Sequence, residues 1–470
     1  MKTKRIYYII LLFCINICTA FAQGEGTLSL MNSLPQVVNN NPAFVPMYNT
    51  SISLPGTSAM AFYSNNGFSY NDIIKHEKDS VKADLTKLYG KLKPKNYITQ
   101  ALQVDLFRIG VRINSKLYMT LSSTAKAYSR VLLPKDLMGV FTNGNAPFIG
   151  KTVSLSPSAE SLTYIETALG GAYKVNDKLT FGVHAKYLKG ITNVNTQSAT
   201  LNLTTNQDTY ALTANGAMNV RTSGIYNFTQ SDFDFGKNYN KYLTNSGAAF
   251  DLGVTYRLLN KLTLGLSLLD IGSIHWKNNT YSYTLDPNQA NYTFSGVDLS
   301  KVINGNSSYL SSLGDTLQNR FKVKETAIGS YSTAIPSKMY LSAVYDVKKN
   351  FSAGAVFFTQ SFRGHTTAGL TLGVNKHFGK IVSAAGSYTI ASNSFNNLGA
   401  GMSLNLSPIQ IYIVGDNLLN IPFHGSDLSA FTNSTKYINL RLGFNLVFGW
   451  NKTDEKPSRK IYRTIKRKNS

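Results

Sequence analysis

Histidine is the side chain best suited to acid–base chemistry near neutral pH, and this sequence contains six. None of them belongs to an H-E-x-x-H pair or to another spacing typical of metal ligands. His184 and Lys186 lie two residues apart in an alternating segment, so their side chains are expected on one face. The pair would suit a hydrolase, but a lone histidine of this kind is far more often a residue of a polar interior wall. Since no Ser/His/acid set can be assembled from spacing alone, we predict that the protein is not an enzyme.

Two other segments resemble ligand-binding loops but lack the required spacing. In "GNAPFIGKT" (residues 144–152), five residues separate Gly144 from Gly150, whereas a phosphate-binding loop needs four. The acidic "SDFDF" (residues 231–235) lacks the oxygen-ligand spacing of a calcium loop. The sequence therefore predicts no cofactor and no metal site.

The first residues indicate export. Basic residues precede a thirteen-residue apolar run (residues 6–18), which ends at Ala20-Phe21-Ala22. This arrangement predicts a signal peptide over residues 1–22, cleaved before Gln23. The run is shorter than the about 20 apolar residues of a spanning helix. Both cysteines, Cys14 and Cys18, leave with the leader, which excludes disulfides and cysteine-ligated zinc. A long exported chain without a disulfide is typical of a Gram-negative cell envelope.

The formal net charge is +23, and it falls to +20 once the three leader cations are removed (23 − 3). Strong positive charge can mark nucleic-acid binding. Here the basic residues are scattered and the chain is exported, so we predict no nucleic-acid partner. The last twenty residues, 451–470, carry eight Lys or Arg against two acids. We interpret them as a basic periplasmic tail, either a solvated extension or an arm that binds a partner.

Most of the chain alternates apolar and polar residues in repeated units. In "FDLGVTYRLLNKLTLGLSLLD" (residues 250–270), two alternating runs flank a short turn, and the unit recurs at residues 167–187, 339–359, 368–389 and 398–414. Period two predicts strands with one apolar and one polar face. The runs reach about 9–11 residues, enough to cross a bilayer when tilted, against about 5–6 in globular proteins. Short turns also alternate with mostly long polar loops, which favours a transmembrane barrel over a soluble sandwich.

Counting the runs predicts an all-β fold, a transmembrane antiparallel β-barrel of about fourteen strands over residues 48–450. An even count suits a single-chain bacterial barrel, with both termini periplasmic and outer-membrane lipid around it. Residues 198–221 also alternate, and we interpret them as an extracellular hairpin, since as membrane strands they would give sixteen. The predicted strands span residues 48–64, 101–113, 116–127, 165–174, 179–190, 248–257, 261–271, 338–347, 351–360, 367–376, 381–390, 397–406, 409–416 and 437–449.

Two irregularities interrupt the alternation. The apolar parity shifts between Leu106 and Phe107, which predicts a β-bulge. In residues 71–93, Val81, Leu85 and later leucines recur at helical spacing before Pro94. This spacing predicts a helix in the first outer loop.

The segment before the first strand, "NNNPAFVP" (residues 39–46), contains Asn-Pro-Ala. Together with about fourteen strands and long outer loops, it makes the chain resemble the long-chain fatty-acid transporter (FadL) family. It also resembles uncharacterised outer-membrane proteins of the Bacteroidota in "NPAF.P", in "LPG" (residues 54–56) and in "DNLLN" (residues 416–420). Phe44 departs from the glycine usual in FadL.

The resemblance to FadL implies that residues 23–47 form an N-terminal hatch that folds back and plugs the lumen. The two prolines restrict the segment's conformations, and the asparagine amides can bond a polar wall. A periplasmic lead-in peptide without a role in the lumen is the alternative. The predicted plug residues are Asn39, Asn40, Asn41, Pro42, Ala43, Phe44 and Pro46.

Strand parity also predicts which charged side chains face the lumen. An Arg or Lys on the lipid face costs about 2–4 kcal/mol at the midplane, so these residues should point inward. They would either bind a carboxylate or phosphate head group, or pair with lumenal acids and brace the barrel. The candidates are Arg108, Arg112, His184, Lys186, Asp251, Arg257 and Arg441.

Two functions fit this architecture. One is a passive channel for hydrophobic or amphipathic small molecules, whose partner is such a ligand. The other is an accessory or structural barrel, whose partner is a protein of a secretion or envelope complex. The first requires an apolar pocket beneath the loops, and the second requires a protein-binding surface. The sequence alone leaves both open, because a ligand is specified by three-dimensional contacts.

Overall fold

The computed structural model describes residues 25–65, 68, 74–77, 80–225, 243–296, 315–316, 318–391, 394–418 and 437–450. The predicted leader, the basic tail, "SDFDF" and the end of "DNLLN" lie outside these residues. Within them, no helix is long and apolar enough to span a membrane.

Fourteen strands form one closed antiparallel barrel, in which each strand pairs with the next along the chain and β14 pairs with β1. The predicted fold class and strand number are confirmed. The strands are β1 (Tyr48–Ser53 and Ser58–Asn65), β2 (Lys95–Arg112), β3 (Leu117–Pro134), β4 (Ser158–Lys174), β5 (Leu179–Thr205), β6 (Asn245–Leu259), β7 (Leu262–Trp276), β8 (Ser337–Lys348), β9 (Phe351–Phe362), β10 (His365–Phe378), β11 (Val382–Ala391), β12 (Ser394–Leu406), β13 (Ile409–Asp416) and β14 (Tyr437–Trp450).

The first strand is interrupted where the sequence reads Leu54-Pro55-Gly56. Proline has no N–H for the ladder, and Gly56 adopts a φ of 71°, which favours glycine. The Gly56 N–H instead bonds the carbonyl of Asp105 on β2, beside a shift of register between Asp105 and Phe107. The bulge expected at this point of β2 is confirmed.

The two ends of the barrel differ. One end, the short-turn rim, carries six connections of two to four residues together with the start of β1 and the end of β14. At the opposite end, the long-loop rim, β5 continues beyond the barrel and pairs with Leu212–Ser223. The hairpin expected around residues 198–221 is therefore an extension of β5, and it adds no membrane strand.

Additional elements lie in the connections of the long-loop rim. The helix predicted in the first outer loop is present over Leu85–Lys91, whereas Val81, the first residue of the helical spacing, lies in a strand. A hairpin (Ile74–Glu77 and Ser80–Ala83) comes first, because the helix Leu85–Lys91 can begin only after Asp84, whose side chain accepts the Lys87 N–H as an N-cap. The other elements are a helix at Lys135–Asn143, a 3-10 helix at Ala146–Phe148, and strands at Thr152–Ser154, Thr280–Leu285, Asn291–Phe294, Lys324–Ala327 and Tyr331–Ala334.

The barrel wall is apolar outside and polar inside. On β10, Leu370, Leu372 and Val374 are 37%, 47% and 42% exposed, whereas Thr371 between them is fully buried. The same alternation on the other strands leaves a belt of aliphatic and aromatic side chains around the outer surface. This is the arrangement of a barrel that faces lipid.

We expect Leu442→Arg to impair membrane insertion, because Leu442 is 49% exposed in the middle of β14. Arginine on the lipid face costs about 2–4 kcal/mol at midplane and about 0–1 kcal/mol near the interface. Leu406→Arg, at the rim end of β12, is the control and should insert almost normally. Heat-modifiable migration of the membrane fraction measures both variants, and equal insertion would contradict a lipid-facing outer surface.

Parity alone suggests that Asn445→Arg would be tolerated, since Asn445 points inward. The structure contradicts this expectation. Asn445 is fully buried and bonds Gln36, Ser53 and Gln410, so no space remains for an arginine.

Candidate functional site

The segment before β1, residues 25–47, lies inside the barrel, and we call it the inner segment. It contains a short helix, Gly26–Leu30, and a 3-10 helix, Pro35–Asn39. Two apolar clusters hold it against different parts of the wall. Leu30 packs with side chains of β7, β8 and β9, whereas the other cluster joins Leu28, Met31 and Leu34 to Ala385, Tyr412 and Val414.

Buried polar contacts fix the inner segment to the strands where the barrel closes. The Glu25 carboxylate accepts two hydrogen bonds from the Arg441 guanidinium of β14, at 2.9 and 2.6 Å. Gln36 donates to Asn445 of β14 at 2.8 Å and to Ser53 of β1 at 3.2 Å. Because both ion-pair partners are buried, this pair is a strong and geometrically specific anchor.

The Asn-Pro-Ala part of the inner segment lies against a stretch of wall in which glycines occupy several inward-facing positions. The Asn41 amide donates to the carbonyls of Val254 (3.3 Å) and Leu266 (3.2 Å) on neighbouring strands β6 and β7. A Cβ at Gly182 of β5 would overlap the backbone of Pro42 and Ala43. Gly253 of β6 is equally close to the Asn41 side chain. Glycine at these wall positions therefore permits the contact.

A network of charged side chains crosses the lumen beside the inner segment. Lys186 of β5 lies 2.8 Å from Asp251, 2.6 Å from Asp270 and 3.4 Å from Glu166. Lys126 of β3 contacts Glu166 at 2.7 Å and Asp270 at 3.5 Å. Acids and bases from β3, β4, β5, β6 and β7 are thus paired in the barrel interior, where unpaired charge is costly.

His184 belongs to the same network and has the connectivity of a hydrolase triad. Its Nε2 lies 3.2 Å from the Thr120 hydroxyl, and its Nδ1 lies 3.1 Å from the Asp251 carboxylate. Asp251 is also bonded by Lys186 and by the Asp270 N–H. Thr120 does not line the adjacent interior cavity, so its hydroxyl has no described space for an acyl group. These hydrogen bonds join β3, β5 and β6 through the His184 ring.

That cavity is small and polar. Its volume is about 30 Å3, about enough for a water molecule, and its lining includes Asn40, Lys126, His184, Lys186 and Lys338. Within the described part of the chain, no three His, Cys, Asp or Glu side chains are grouped so that they could hold a metal ion.

Nearer the long-loop rim, aromatic side chains from opposite strands meet. The rings of Tyr128 (β3) and Phe362 (β9) lie 4.9 Å apart, edge to face, and those of Tyr97 (β2) and His365 (β10) lie 5.0 Å apart. Arg130 of β3 reaches the Phe362 carbonyl at 3.4 Å. We call these five residues the mouth cluster. Because β3 and β9 are six strands apart in a ring of fourteen, these contacts span the lumen.

The predicted plug residues lie in the inner segment, where Asn40, Asn41 and Ala43 are buried. Of the predicted lumen-wall residues, His184, Lys186 and Asp251 meet in the central network. Arg441 holds Glu25, while Arg108 pairs with Asp105 at 3.3 Å, and Arg112 donates to the Pro46 carbonyl at 3.0 Å. Arg257 is only partly buried, toward the short-turn rim of β6.

Several members of these networks were not predicted from the sequence. Strand parity could have identified Lys126, which lies within the predicted strand at residues 116–127. It could also have identified Arg130 if that strand had been extended to its observed end at Pro134. No local signal identifies Glu25, which lies outside any strand.

A closed fourteen-strand barrel with a lipid-type outer belt and a polar interior defines an integral membrane β-barrel of the outer-membrane type. The chain belongs to a protein family described as a family of unknown function (DUF5723), whose model matches residues 42–416. No curated protein matches the sequence.

Solved structures similar to this chain include outer-membrane proteins. A FadL homologue of Pseudomonas aeruginosa has 13% identity and a TM-score of 0.39, over 90% of this chain and 96% of that one. The P. putida toluene transporter TodX has 9% identity and a TM-score of 0.43, over 91% and 99%. The Ralstonia pickettii toluene transporter TbuX has 11% identity and a TM-score of 0.34, over 91% and 99%.

Proposed function

We propose that this protein is an outer-membrane channel for small hydrophobic or amphipathic molecules, in which the inner segment is a plug. In this arrangement both chain termini and the short-turn rim face the periplasm, and the long-loop rim faces outward. The basic tail then lies at the periplasmic end.

The way in which the inner segment is attached to the wall is the strongest support for this proposal. Within the described residues, the backbone of the inner segment makes no backbone–backbone hydrogen bond with a barrel strand. Side chains such as Glu25, Gln36 and Asn41 hold it instead. A segment held in this way can move without unpairing the wall, as a plug requires.

A second function has support of its own. In the part of the chain that the structure describes, the inner segment, the charged network and the mouth cluster cross the lumen, and the polar cavity among them has a volume of about 30 Å3. A filled lumen suits an accessory barrel that presents its outer surfaces to an envelope partner. Purification in mild detergent would then recover a stoichiometric protein partner and no enrichment of amphipathic molecules.

Deleting residues 25–46 tests the channel directly. The ladder from β1 to β14 remains complete, so the variant should insert, and pentose influx into reconstituted vesicles should rise because the main obstruction is gone. Deletion of the loop tip 206–211, which lies outside the lumen, is the control. Unchanged influx at equal insertion would reject the plug and leave the accessory barrel.

A further inference from the structure

A small antiparallel sheet lies beyond the barrel at the long-loop rim. β5 continues past the barrel to Thr205 and pairs there with Leu212–Ser223, which in turn pairs with Asn291–Phe294. Thr152–Ser154 lies along the other side of β5. These segments form four adjacent strands. Because successive side chains of a strand point to opposite sides, the sheet presents two separate faces.

One face of this sheet is apolar and covered. Leu201 and Leu203 of β5 pack against a buried cluster that includes Val153 of the neighbouring strand. Two side chains of the helix Lys135–Asn143 pack on the same cluster. This face therefore attaches the sheet to the other elements of the long-loop rim, and a ligand could contact only the opposite face.

The opposite face carries small side chains without charge, and we call it the threonine face. Its twelve positions are Thr152, Ser154, Ser198, Thr200, Asn202, Thr204, Thr213, Asn215, Ala217, Asn219, Asn291 and Thr293. Six of the twelve are exposed and the other six are partly buried. None of these positions is charged, although 15% of the residues of the chain are charged and its net charge is +23. The composition of the face does not suit nucleic acid or an anionic head group, which are bound by cationic side chains.

The threonine face is ordered in rows that run across the strands. In the first row, Thr152 lies opposite Thr204, Thr204 opposite Thr213, and Thr213 opposite Thr293. The hydroxyls of Thr152 and Thr204 are 2.8 Å apart, and those of Thr213 and Thr293 are 2.9 Å apart. A hydroxyl has one donor and two acceptor sites, so each bonded pair keeps a donor and several acceptors for a ligand. The second row consists of Ser154, Asn202, Asn215 and Asn291.

The spacing of these rows matches a repeating neutral polymer. Neighbouring strands of a sheet are about 4.8 Å apart, so each row repeats a hydroxyl or amide group at about that interval. The interval is close to the advance per sugar of an extended β-1,4-linked glycan. Such a chain, laid across the strands, would meet one hydrogen-bonding side chain for each sugar.

An exposed aromatic side chain lies beside the first row. Tyr210 is in the loop that joins the paired residues Thr205 and Leu212, and it is 61% exposed. Its φ of 56° is in the left-handed region, where a bulky residue is an outlier. Outliers of this kind occur at ligand-binding positions. A tyrosine ring has an apolar face that can pack on the C–H groups of a sugar and a hydroxyl that can bond it.

We propose that the threonine face, together with Tyr210, binds a neutral, extended, β-linked glycan outside the barrel. The surface uses no residue of the lumen, so the proposal goes beyond the channel and is compatible with either a channel or an accessory barrel. Glycan binding and solute influx are measured separately, so each proposal can fail without the other.

The experiment is calorimetric titration of the full chain in a polyoxyethylene detergent, which has no sugar head group. The probes are cellohexaose, maltohexaose and hexamannuronate. Cellohexaose is neutral and extended, maltohexaose is neutral and coiled, and hexamannuronate is extended but carries a carboxylate on every sugar. Cellohexaose should bind saturably and at least tenfold more tightly than either of the other two.

Replacing two threonines of the first row tests the site. Thr204→Val with Thr213→Val keeps the shape and strand preference of both side chains but removes their hydroxyls, so cellohexaose binding should weaken at least tenfold. Thr204→Ser with Thr213→Ser keeps the hydroxyls and should bind like the parent protein. Thr366→Val changes an exposed threonine of β10 at the same rim and is the matched control. If the double valine variant does not fold, Thr213→Val alone replaces it.

Each result supports or overturns one part of the proposal. Maltohexaose binding as tightly as cellohexaose would overturn the match to an extended chain, and hexamannuronate binding as tightly would overturn the preference for a neutral one. No binding of cellohexaose, or equal affinities in the parent protein and the valine variant, would overturn the site. Tyr210→Asn, which suits a positive φ, should also weaken binding, and parent-like binding would remove Tyr210 from the site.

Discussion

Replacing Lys186 with methionine is expected to lower the free energy of unfolding by about 3–5 kcal/mol, because removal of one partner from a buried ion network leaves the others uncompensated. Lys186 is only 8% exposed and contacts Asp251, Asp270 and Glu166. Methionine fills a similar volume, so the lower free energy of unfolding is caused by the loss of the charge and not by a loss of packing. After the substitution, Lys126 alone would contact two of the three acids.

Urea unfolding of the inserted barrel, followed by the loss of heat-modifiable migration, measures this effect. Lys174→Met is the matched control, since Lys174 pairs with the exposed Asp177 at 2.9 Å near the short-turn rim. Exposed pairs contribute little, so the control should unfold like the parent protein. If both variants lost the same stability, the interior network would have no special role.

Replacing Gly182 with leucine is expected to raise solute influx several-fold at normal insertion. The new side chain would occupy the position of the Pro42 and Ala43 backbone, which cannot give way as a flexible side chain can. The inner segment must then leave the wall of β5. The Asn41 hydrogen bonds to Val254 and Leu266 would be lost with it.

The control for this experiment is Gly386→Leu, because a Cβ at Gly386 meets no atom within 4 Å. Pentose influx into reconstituted vesicles is compared at equal amounts of heat-modifiable barrel. Parent-like influx in Gly182→Leu would show that contact with this wall does not keep the lumen closed.

The barrel was predictable because alternation is a local property of the sequence. Each membrane strand must present apolar side chains to lipid, so its parity is visible without knowledge of any partner. The inward direction of the Arg108 and Arg441 side chains was predictable, because an arginine that faces lipid at the membrane midplane is destabilising. The partners of these arginines could not be predicted. A bulge brings Asp105 to Arg108, and a segment outside the strands brings Glu25 to Arg441.

The central network shows where parity stops being informative. Leu269 and Asp270 are consecutive, yet both are buried. The register of β6 and β7 shifts beside them, and Asp270 adopts a φ of 58°. A bulge of this kind turns one extra side chain inward. In the alternation of β7 it is marked by the consecutive apolar residues Leu268 and Leu269, a shift of parity like the one at Leu106 and Phe107.

The anchors of the inner segment have a consequence for how the barrel is assembled. Gln36 bonds Ser53 of the first strand and Asn445 of the last, and the second of these contacts joins residues 409 positions apart. The entropic cost of closing a chain grows with the length of the loop, so the β1–β14 seam is the most demanding pairing to form. A segment that binds both of its strands from within acts as a template for that final step. The barrel therefore closes around its own inner segment, so that formation of the wall and enclosure of this segment are coupled.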